Sequence, residues 1–320
     1  MKKILLCLGT AFFVSWCNAE QIVSSTPAAE EDDSSKAEFS HEFHTEYSYS
    51  GKSDVSQGEK KLGEMDAQNN VAKYILSHSI TDSVYLRWGV NWERFSFSTP
   101  ESIATPAGKR AACQAAAPAP PDTLQSLAAV IGADIELSDE WVMRVEIEPG
   151  IYSDWRDISF DDINMPTIIG ASYLVDKDLQ WFFGVGINPR SSFLPVMPGV
   201  GVRWKFADQW TLFLVLPNPK IEYEIIKDLT LYAGMSIKGG NYQVSKKYGD
   251  SRNRFDLDND NVSYREIRTG GGLGWKFMEG MTIEAEGGWT IDRRFDFAQS
   301  DLIIDSDGAP YGQVGFSAAF

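Results

Sequence analysis

The sequence predicts an all-β protein, a transmembrane antiparallel up-and-down β-barrel of about fourteen strands, with about twelve to sixteen compatible with the pattern. Three observations carry this prediction: a short turn that repeats, period-two alternation running outward from each turn, and long polar connections at the opposite strand ends. Beyond the first twenty residues, no segment approaches the roughly 18 consecutive apolar residues that a membrane helix needs. A chain that crosses lipid without helices must close its strands, because only helices and closed barrels satisfy every backbone polar group there.

The turn has one form at six places. An apolar residue is followed by three turn residues and a second apolar residue: Ile80 to Val84, Leu137 to Trp141, Val175 to Leu179, Phe206 to Trp210, Ile225 to Leu229 and Phe277 to Met281. Three intervening residues keep both flanking side chains on one sheet face, as a hairpin register requires. Gly280 suits the left-handed position of such a loop.

The strands follow from the turns. Tyr74, Leu76, His78 and Ile80 share a face that Val84, Leu86, Trp88, Val90 and Trp92 continue, with Arg87, Asn91 and Glu93 opposite. Leu127 through Leu137 hairpin onto Trp141, Met143, Val145 and Ile147, while Asp134, Arg144, Glu146 and Glu148 point the other way. The same rule places Lys238 opposite Leu231, Ala233, Met235 and Ile237, and Glu284 and Glu286 opposite Ile283 and Ala285. Apolar residues outward and polar residues inward is the membrane-barrel pattern. The expected lumen-lining set is therefore Arg87, Glu93, Asp134, Arg144, Glu146, Glu148, Arg203, Glu222, Glu224, Lys238, Glu284 and Glu286. Register from the 138–140 turn sets Asp134 directly across from Arg144, and register from the Phe277-to-Met281 turn similarly sets Glu284 and Glu286 across from Gly274 and Gly272.

Longer polar connections are expected near 51–68, 98–122, 153–164, 189–196, 245–260 and 298–308, with Pro217-Asn218-Pro219 as a short one. An opening strand at Phe39, Phe43, Tyr47 and Tyr49 and a terminal strand at 309–320 complete an even number, which puts both termini on the periplasmic side. Trp141, Trp181, Trp204, Phe206, Trp210, Trp275 and Phe277 sit beside the short turns, and Trp92, Trp155, Trp289, Phe295 and Phe297 toward the long loops, giving two interfacial girdles. A soluble sandwich or barrel also has period two. It explains neither the loop asymmetry nor the residue on which the chain closes.

That residue is Phe320. Gly312, Val314, Phe316, Ala318 and Phe320 alternate on one face, and an aromatic end to such a strand looks like the assembly signal of bacterial outer-membrane barrels, with Phe316 and Phe320 as its anchors. The start agrees with the end: Lys2 and Lys3 precede an apolar run from Ile4 to Trp16, and Cys17-Asn18-Ala19 offers cleavage before Glu20, so residues 1–19 read as a secretory signal. A lipoprotein reading on Cys17 is weaker, because bulky Trp16 precedes it. Losing Lys2 and Lys3 and no acid takes the formal charge from −16 to −18, which disfavours nucleic acid as a partner. Cys113 would remain alone, so no intramolecular disulfide is expected. Residues 20–36 read as a disordered periplasmic lead ahead of a barrel over 37–320, and ACQAAAPAPP at 112–121 as a low-complexity surface loop.

Candidate chemistry is sparse, and no cofactor is expected. Ser40, Glu42, His44, Glu46 and Ser48 alternate onto one face, about 7 Å apart in successive pairs, and a hydrated lumen row is a simpler reading than a catalytic one. His41 and His78 fall on the apolar face. Asp256, Asp258 and Asp260 have the alternating carboxylates that open a calcium loop, but Asn261 stands where glycine is required and Ile267 where a bidentate Glu would be.

The segments PGIYSDWRDIS at 149–159, LYAGMSIKGGNYQV at 231–244 and LDNDNVSYREIRTGGGLGW at 257–275 resemble a family of bacterial outer-membrane barrel proteins of unknown function. The resemblance covers most of the chain beyond about residue 120 and implies location and fold, with no catalytic residues to carry over. The expected function is a passive pore for small hydrophilic solutes, with outer-membrane lipid and the barrel-assembly machinery as partners. A barrel of 16–18 strands leaves a channel and one of eight is filled, so about fourteen falls between. A selective transporter of apolar molecules and a structural or adhesive barrel are the alternatives. An enzyme would have to use the His44 row or the acidic loop.

Overall fold

In the computed structural model the described residues are 39–98, 120–191, 195–250 and 254–320. The expected signal at 1–19, the lead at 20–36, Cys113 and most of the low-complexity stretch lie outside them. Seventeen strands form one sheet: β1 (Phe39–Gln57), β2 (Lys60–Thr81), β3 (Val84–Phe97), β4 (Thr123–Glu136), β5 (Trp141–Ile147), β6 (Gly150–Ser153), β7 (Ile163–Asn164), β8 (Thr167–Asp176), β9 (Leu179–Ile187), β10 (Val196–Ala207), β11 (Trp210–Leu214), β12 (Lys220–Ile226), β13 (Leu229–Gln243), β14 (Asn261–Met278), β15 (Met281–Phe297), β16 (Leu302–Ser306) and β17 (Ala309–Ala319).

Three of the seventeen continue a neighbour after a short break. β6 follows β5 across Glu148-Pro149, β8 follows β7 across Met165-Pro166, and β17 follows β16 across Asp307-Gly308. The result is a closed antiparallel barrel of fourteen staves. Closure runs through β1 and β17, which pair from Glu42↔Ala319 to Ser50↔Tyr311. Past the ladder, His41 and Phe320 exchange backbone bonds of 2.7 and 3.0 Å. Closing the sheet leaves no open edge to recruit another chain.

The six short turns form as expected, five of them as a two-residue turn beside an extra residue in the ladder, while the 138–140 turn keeps all three residues between Leu137 and Trp141. Register shifts at Ser79/Thr81, Leu174/Asp176, Lys205/Ala207, Glu224/Ile226 and Lys276/Met278 absorb the third turn residue. Gly280 has φ +71°, the left-handed position foreseen for it. Outward faces beside these turns are exposed and aromatic at Trp141, Trp204, Phe206, Trp210, Trp275 and Phe277, which is the girdle predicted for this end.

At the other end the structure departs from the expected loops. Residues 51–68 do not form a loop; β1 and β2 continue to Gln57↔Lys60. Residues 298–308 likewise contain β16, paired to β15 as far as Phe297↔Leu302. Their polar composition points to loops, but hydrogen-bonded ladders extend through both stretches.

The second correction concerns the upper girdle. Phe295 and Phe297 are buried, whereas Trp289 is half-exposed on the outer wall. The cause is a β-bulge: Ile267 pairs with Asp292 and Arg268 with Thr290, leaving Ile291 as an extra residue in β15. One unpaired residue exchanges the two faces of everything beyond it. Arg293, Phe295 and Phe297 therefore turn inward. A shift between Ser50 and Ser53 does the same in β1 and brings Val55 inside.

The inward-turned residues build a second tier. Gly239, at φ +131°, kinks β13, which stays paired with β14 as far as Gln243↔Asn261, and any Cβ there would collide with the Tyr264 carbonyl. Beyond it residues 239–245 are buried without alternation. Gln243 meets Ser153 of β6 in a parallel pairing, Asp154 N–H donates to Gln243 O at 3.1 Å, and Ser245 N–H donates to Asp154 Oδ2 at 3.2 Å. At the loop end the sheet thus closes from β4 through β6 to β13, a smaller ring than the fourteen staves below. It is filled by an apolar core that includes Val55, Met65, Phe95, Phe97, Tyr242, Val262, Tyr264, Phe295, Phe297 and Ile304. Phe97 meets Tyr264 and Phe295 edge-on, with centroids 5.0 and 4.9 Å apart.

Candidate functional site: the barrel interior

Below the apolar core lies a layer of paired charges. Asp134 and Arg144 face each other in register, and Arg144 grips the carboxylate with Nε to Oδ1 at 2.5 Å and Nη2 to Oδ2 at 2.7 Å. Arg87 reaches past β2 to Glu42 at 3.0 and 3.3 Å, and lies 3.5 Å from both Asp134 and Glu146. Lys73 crosses to Glu146 at 3.4 Å and Glu148 at 3.1 Å. Bidentate, charge-assisted pairs of this kind are strong when water is excluded, and Arg87, Arg144 and Glu146 are each 1% exposed.

A second set is centred on Glu266. It accepts from Ser50 Oγ at 2.9 Å, Tyr264 Oη at 2.6 Å and Arg268 Nε at 2.8 Å, with Arg293 Nε at 3.4 Å. Arg268 also donates to Ser48 Oγ at 3.0 Å, and Lys238 bonds Glu46. These ties join β13 and β14 to β1 through the interior, past the intervening staves.

The expected lumen set therefore divides in two. Arg87, Asp134, Arg144, Glu146 and Glu148 are buried, and with Lys238 they are tied into ion pairs across the interior. Glu93 accepts from Asn69 Nδ2 at 3.1 Å. Arg203, Glu222, Glu224, Glu284 and Glu286 are half-buried toward the short-turn end, where Lys220 pairs with Glu222 at 3.1 Å and Tyr311 donates to Glu286. Glu284 and Glu286 do oppose Gly274 and Gly272. The Tyr232 ring occupies the space over Gly272.

The His44 row is a bracing row. Glu42, Glu46 and Ser48 go to Arg87, Lys238 and Arg268, while His44 Nδ1 lies 3.0 Å from Ser317 Oγ. His41 and His78 are on the outer face, against Tyr74 and Phe39.

The three loop aspartates do not converge. Asp256 pairs with Arg254, whose hydrogen bond holds its carboxyl below the usual range. Asp258 accepts from Gly249 N–H at 2.7 Å, and buried Asp260 accepts from the N–H groups of Asn261, Gln299 and Ser300. Each carboxylate is used by its own loop, and among the described residues no group of three ligands could hold a metal. The expected calcium loop therefore has no converging ligand set among the described residues.

The sequence pattern does not single out Lys73, Glu266, Arg268 or Arg293, and it offers Glu42 and Glu46 only as members of the His44 row. Lys73 lies on the polar face of a strand whose apolar face was read correctly. Arg293 is hidden by the bulge at Ile291.

This architecture defines a class, the bacterial outer-membrane type of β-barrel. Similar solved structures are a deletion mutant of the TodX monoaromatic hydrocarbon channel (11% identity, 98% of this chain and 96% of that one, TM-score 0.51), the P. putida toluene transporter TodX (10% identity, 89% and 91%, TM-score 0.48) and the COG4313 outer membrane channel from Pseudomonas putida F1 (9% identity, 91% and 99%, TM-score 0.45). At these identities the likeness is one of fold. The chain belongs to the family described as Domain of unknown function (DUF6268), whose model matches residues 116–303. No curated protein sequence matches it.

Proposed function

We propose that the protein is an outer-membrane channel for small apolar molecules, seated with its short turns and both chain ends toward the periplasm. One observation carries the reading: the loop end of the interior is packed with buried apolar side chains above a layer of paired charges. Such an interior gives hydrated solutes no water-lined path on that side, because a dehydrated polar group costs several kcal/mol in apolar surroundings. A small apolar molecule carries no such cost. The apolar reading is therefore favoured over the passive hydrophilic pore that the alternation of charges suggests. The hydrocarbon named for the TodX channel agrees with it. Outer-membrane lipid is the surrounding medium, and the barrel-assembly machinery is the expected folding partner.

Vesicles holding the refolded protein test this against a membrane-impermeant sugar and an apolar fluorescent amine. The amine should enter faster than in protein-free vesicles, with the sugar at background. Sugar flux with stepwise conductance would restore the hydrophilic pore. Absence of both fluxes would favour a structural barrel.

A further inference from the structure

The bulge at Ile291 turns one of two adjacent arginines inward and the other outward. Arg294 meets Asp305 at 2.6 Å. Arg293 enters the interior beside Glu266, one inward position below Phe295 of the apolar core, and is 0% exposed. A guanidinium carries five N–H donors and cannot shed its charge in a protein. Arg293 uses one of the five: Nε lies 3.4 Å from Glu266 Oε2. Nη1 and Nη2 are shut off from solvent and have no hydrogen-bond acceptor among the described residues.

Glu266 has nothing left to give them. It already accepts from Ser50 at 2.9 Å, Thr290 at 3.2 Å, Arg268 at 2.8 Å and Tyr264 at 2.6 Å, which fills the roughly four lone-pair positions of a carboxylate. Arg268 is fully engaged by comparison, with Nε on Glu266, Nη1 on Gln313 at 3.1 Å, Nη2 on Ser48 at 3.0 Å and its guanidinium over the Tyr311 ring. The acids flanking this level are held elsewhere: Asp292 by Arg265, Asp305 by Arg294 and Asp54 by Lys61.

The local charges do not balance either. Arg268 and Arg293 share the one carboxylate of Glu266, and Glu46, the next acid, is bonded to Lys238. A buried charge without a counter-charge is costly, and so is each buried donor without an acceptor. Water would cap the N–H groups and leave the charge uncompensated, whereas a monovalent anion removes both costs through charge-assisted bonds. Hydroxyls stand beside the place. Ser306 faces Arg293 directly across the β15–β16 ladder, Ser53 lies 2.6 Å from Ser306, and both are buried. The pair shares one hydrogen bond, and beyond it Ser306 Oγ has only a long contact of 3.4 Å to Asp307 O.

We infer that the two Nη groups of Arg293 hold a small monovalent anion, chloride in a saline medium, where the charge layer meets the apolar core. The closed surroundings favour a bare monatomic ion over a bulky or divalent one. Such an ion is a fixed part of the structure and not a transported solute. It neutralises the second guanidinium at Glu266 and ties β15 to the Ser53 and Ser306 hydroxyls of β1 and β16. The inference is independent of what the barrel carries.

The test unfolds the detergent-solubilised protein in urea, since guanidinium chloride would supply the ion, with chloride replacing sulfate at constant ionic strength. One site present only in the folded state should raise the folding equilibrium constant about tenfold for each tenfold rise in chloride above the dissociation constant. Sulfate strengthens burial in proteins generally, so an unspecific salt effect has the opposite sign. Arg293→Gln, which leaves Glu266 to Arg268 alone, should abolish the chloride dependence, and Arg294→Gln should keep it. Crystals grown in bromide give a direct readout, an anomalous peak within hydrogen-bond distance of the Arg293 Nη atoms. No rise with chloride in the unmodified protein, an equal rise in Arg293→Gln, or a water without anomalous signal at the Nη atoms would overturn the site. Should Arg293→Gln fail to fold, the chloride titration and the bromide peak of the unmodified protein decide.

Discussion

Replacing Arg87 with methionine tests whether the charge layer is a dry brace or a hydrated lining. Arg87 is 1% exposed and touches three carboxylates, Glu42 at 3.0 and 3.3 Å and Asp134 and Glu146 at 3.5 Å. Its network holds Lys73, Arg87 and Arg144 against Glu42, Asp134, Glu146 and Glu148, so acids already outnumber bases. Without Arg87, two cations face four acids. Removing one partner from a buried ionic cluster costs about 3–5 kcal/mol, most of it from the charges left behind. A pair in water contributes about 0–1 kcal/mol. Arg87→Met should therefore lose about 3–5 kcal/mol in denaturant unfolding of the detergent-solubilised barrel, followed by tryptophan fluorescence and by migration of unboiled protein on gels. Adding Glu42→Gln, which removes one of the stranded acids, should recover part of the loss, with a coupling of about 1–3 kcal/mol. A loss under about 1 kcal/mol, with the double variant additive, would mean that water reaches these groups and that the layer lines an open lumen.

Two further outcomes follow from the wall. Deleting Ile291 should remove the bulge in β15 and present Arg293, Phe295 and Phe297 to the outside, so the folded, heat-modifiable form should be lost, whereas Ile291→Val should keep it; normal folding of the deletion would show that the bulge does not set the upper faces. Phe320 stacks on His41 at 5.3 Å and closes the seam between β17 and β1, so Phe320→Asp should divert chain from the outer-membrane fraction to degraded or periplasmic material while Phe320→Tyr is mild; a normal outer-membrane yield of the Asp variant would reduce Phe320 to a girdle contact.

The half of the barrel near the short turns was legible because two signals coincide there. The three-residue turns set register, and alternation against lipid sets the faces, so the sequence alone places Asp134 opposite Arg144, where the ladder has it. Both signals fail at the other end. Lipid no longer demands an apolar outer face, and single extra residues at Ile291 and near Gly51 exchange the faces without changing the composition. Phe295 and Phe297 look the same in sequence whether they face lipid or a core. The same blindness applies to the charges: alternation marks Arg87 and Glu146 as inward, but whether inward means water or a salt bridge depends on Lys73 and Glu42, which arrive from other strands.

The two tiers and the short hairpin are linked by one geometric fact. A ring that closes from β4 through β6 to β13 bypasses β7 to β12, so those staves are bonded to each other and to the lower barrel but do not join the upper ring. The strand that makes the bypass is β13, which above Ile237 exchanges the 215–219 turn for β6 on one side while keeping β14 on the other. The turn of backbone at Gly239 carries Tyr242 into the core that caps the interior. A substitution that straightened β13 at Gly239 should weaken this cap.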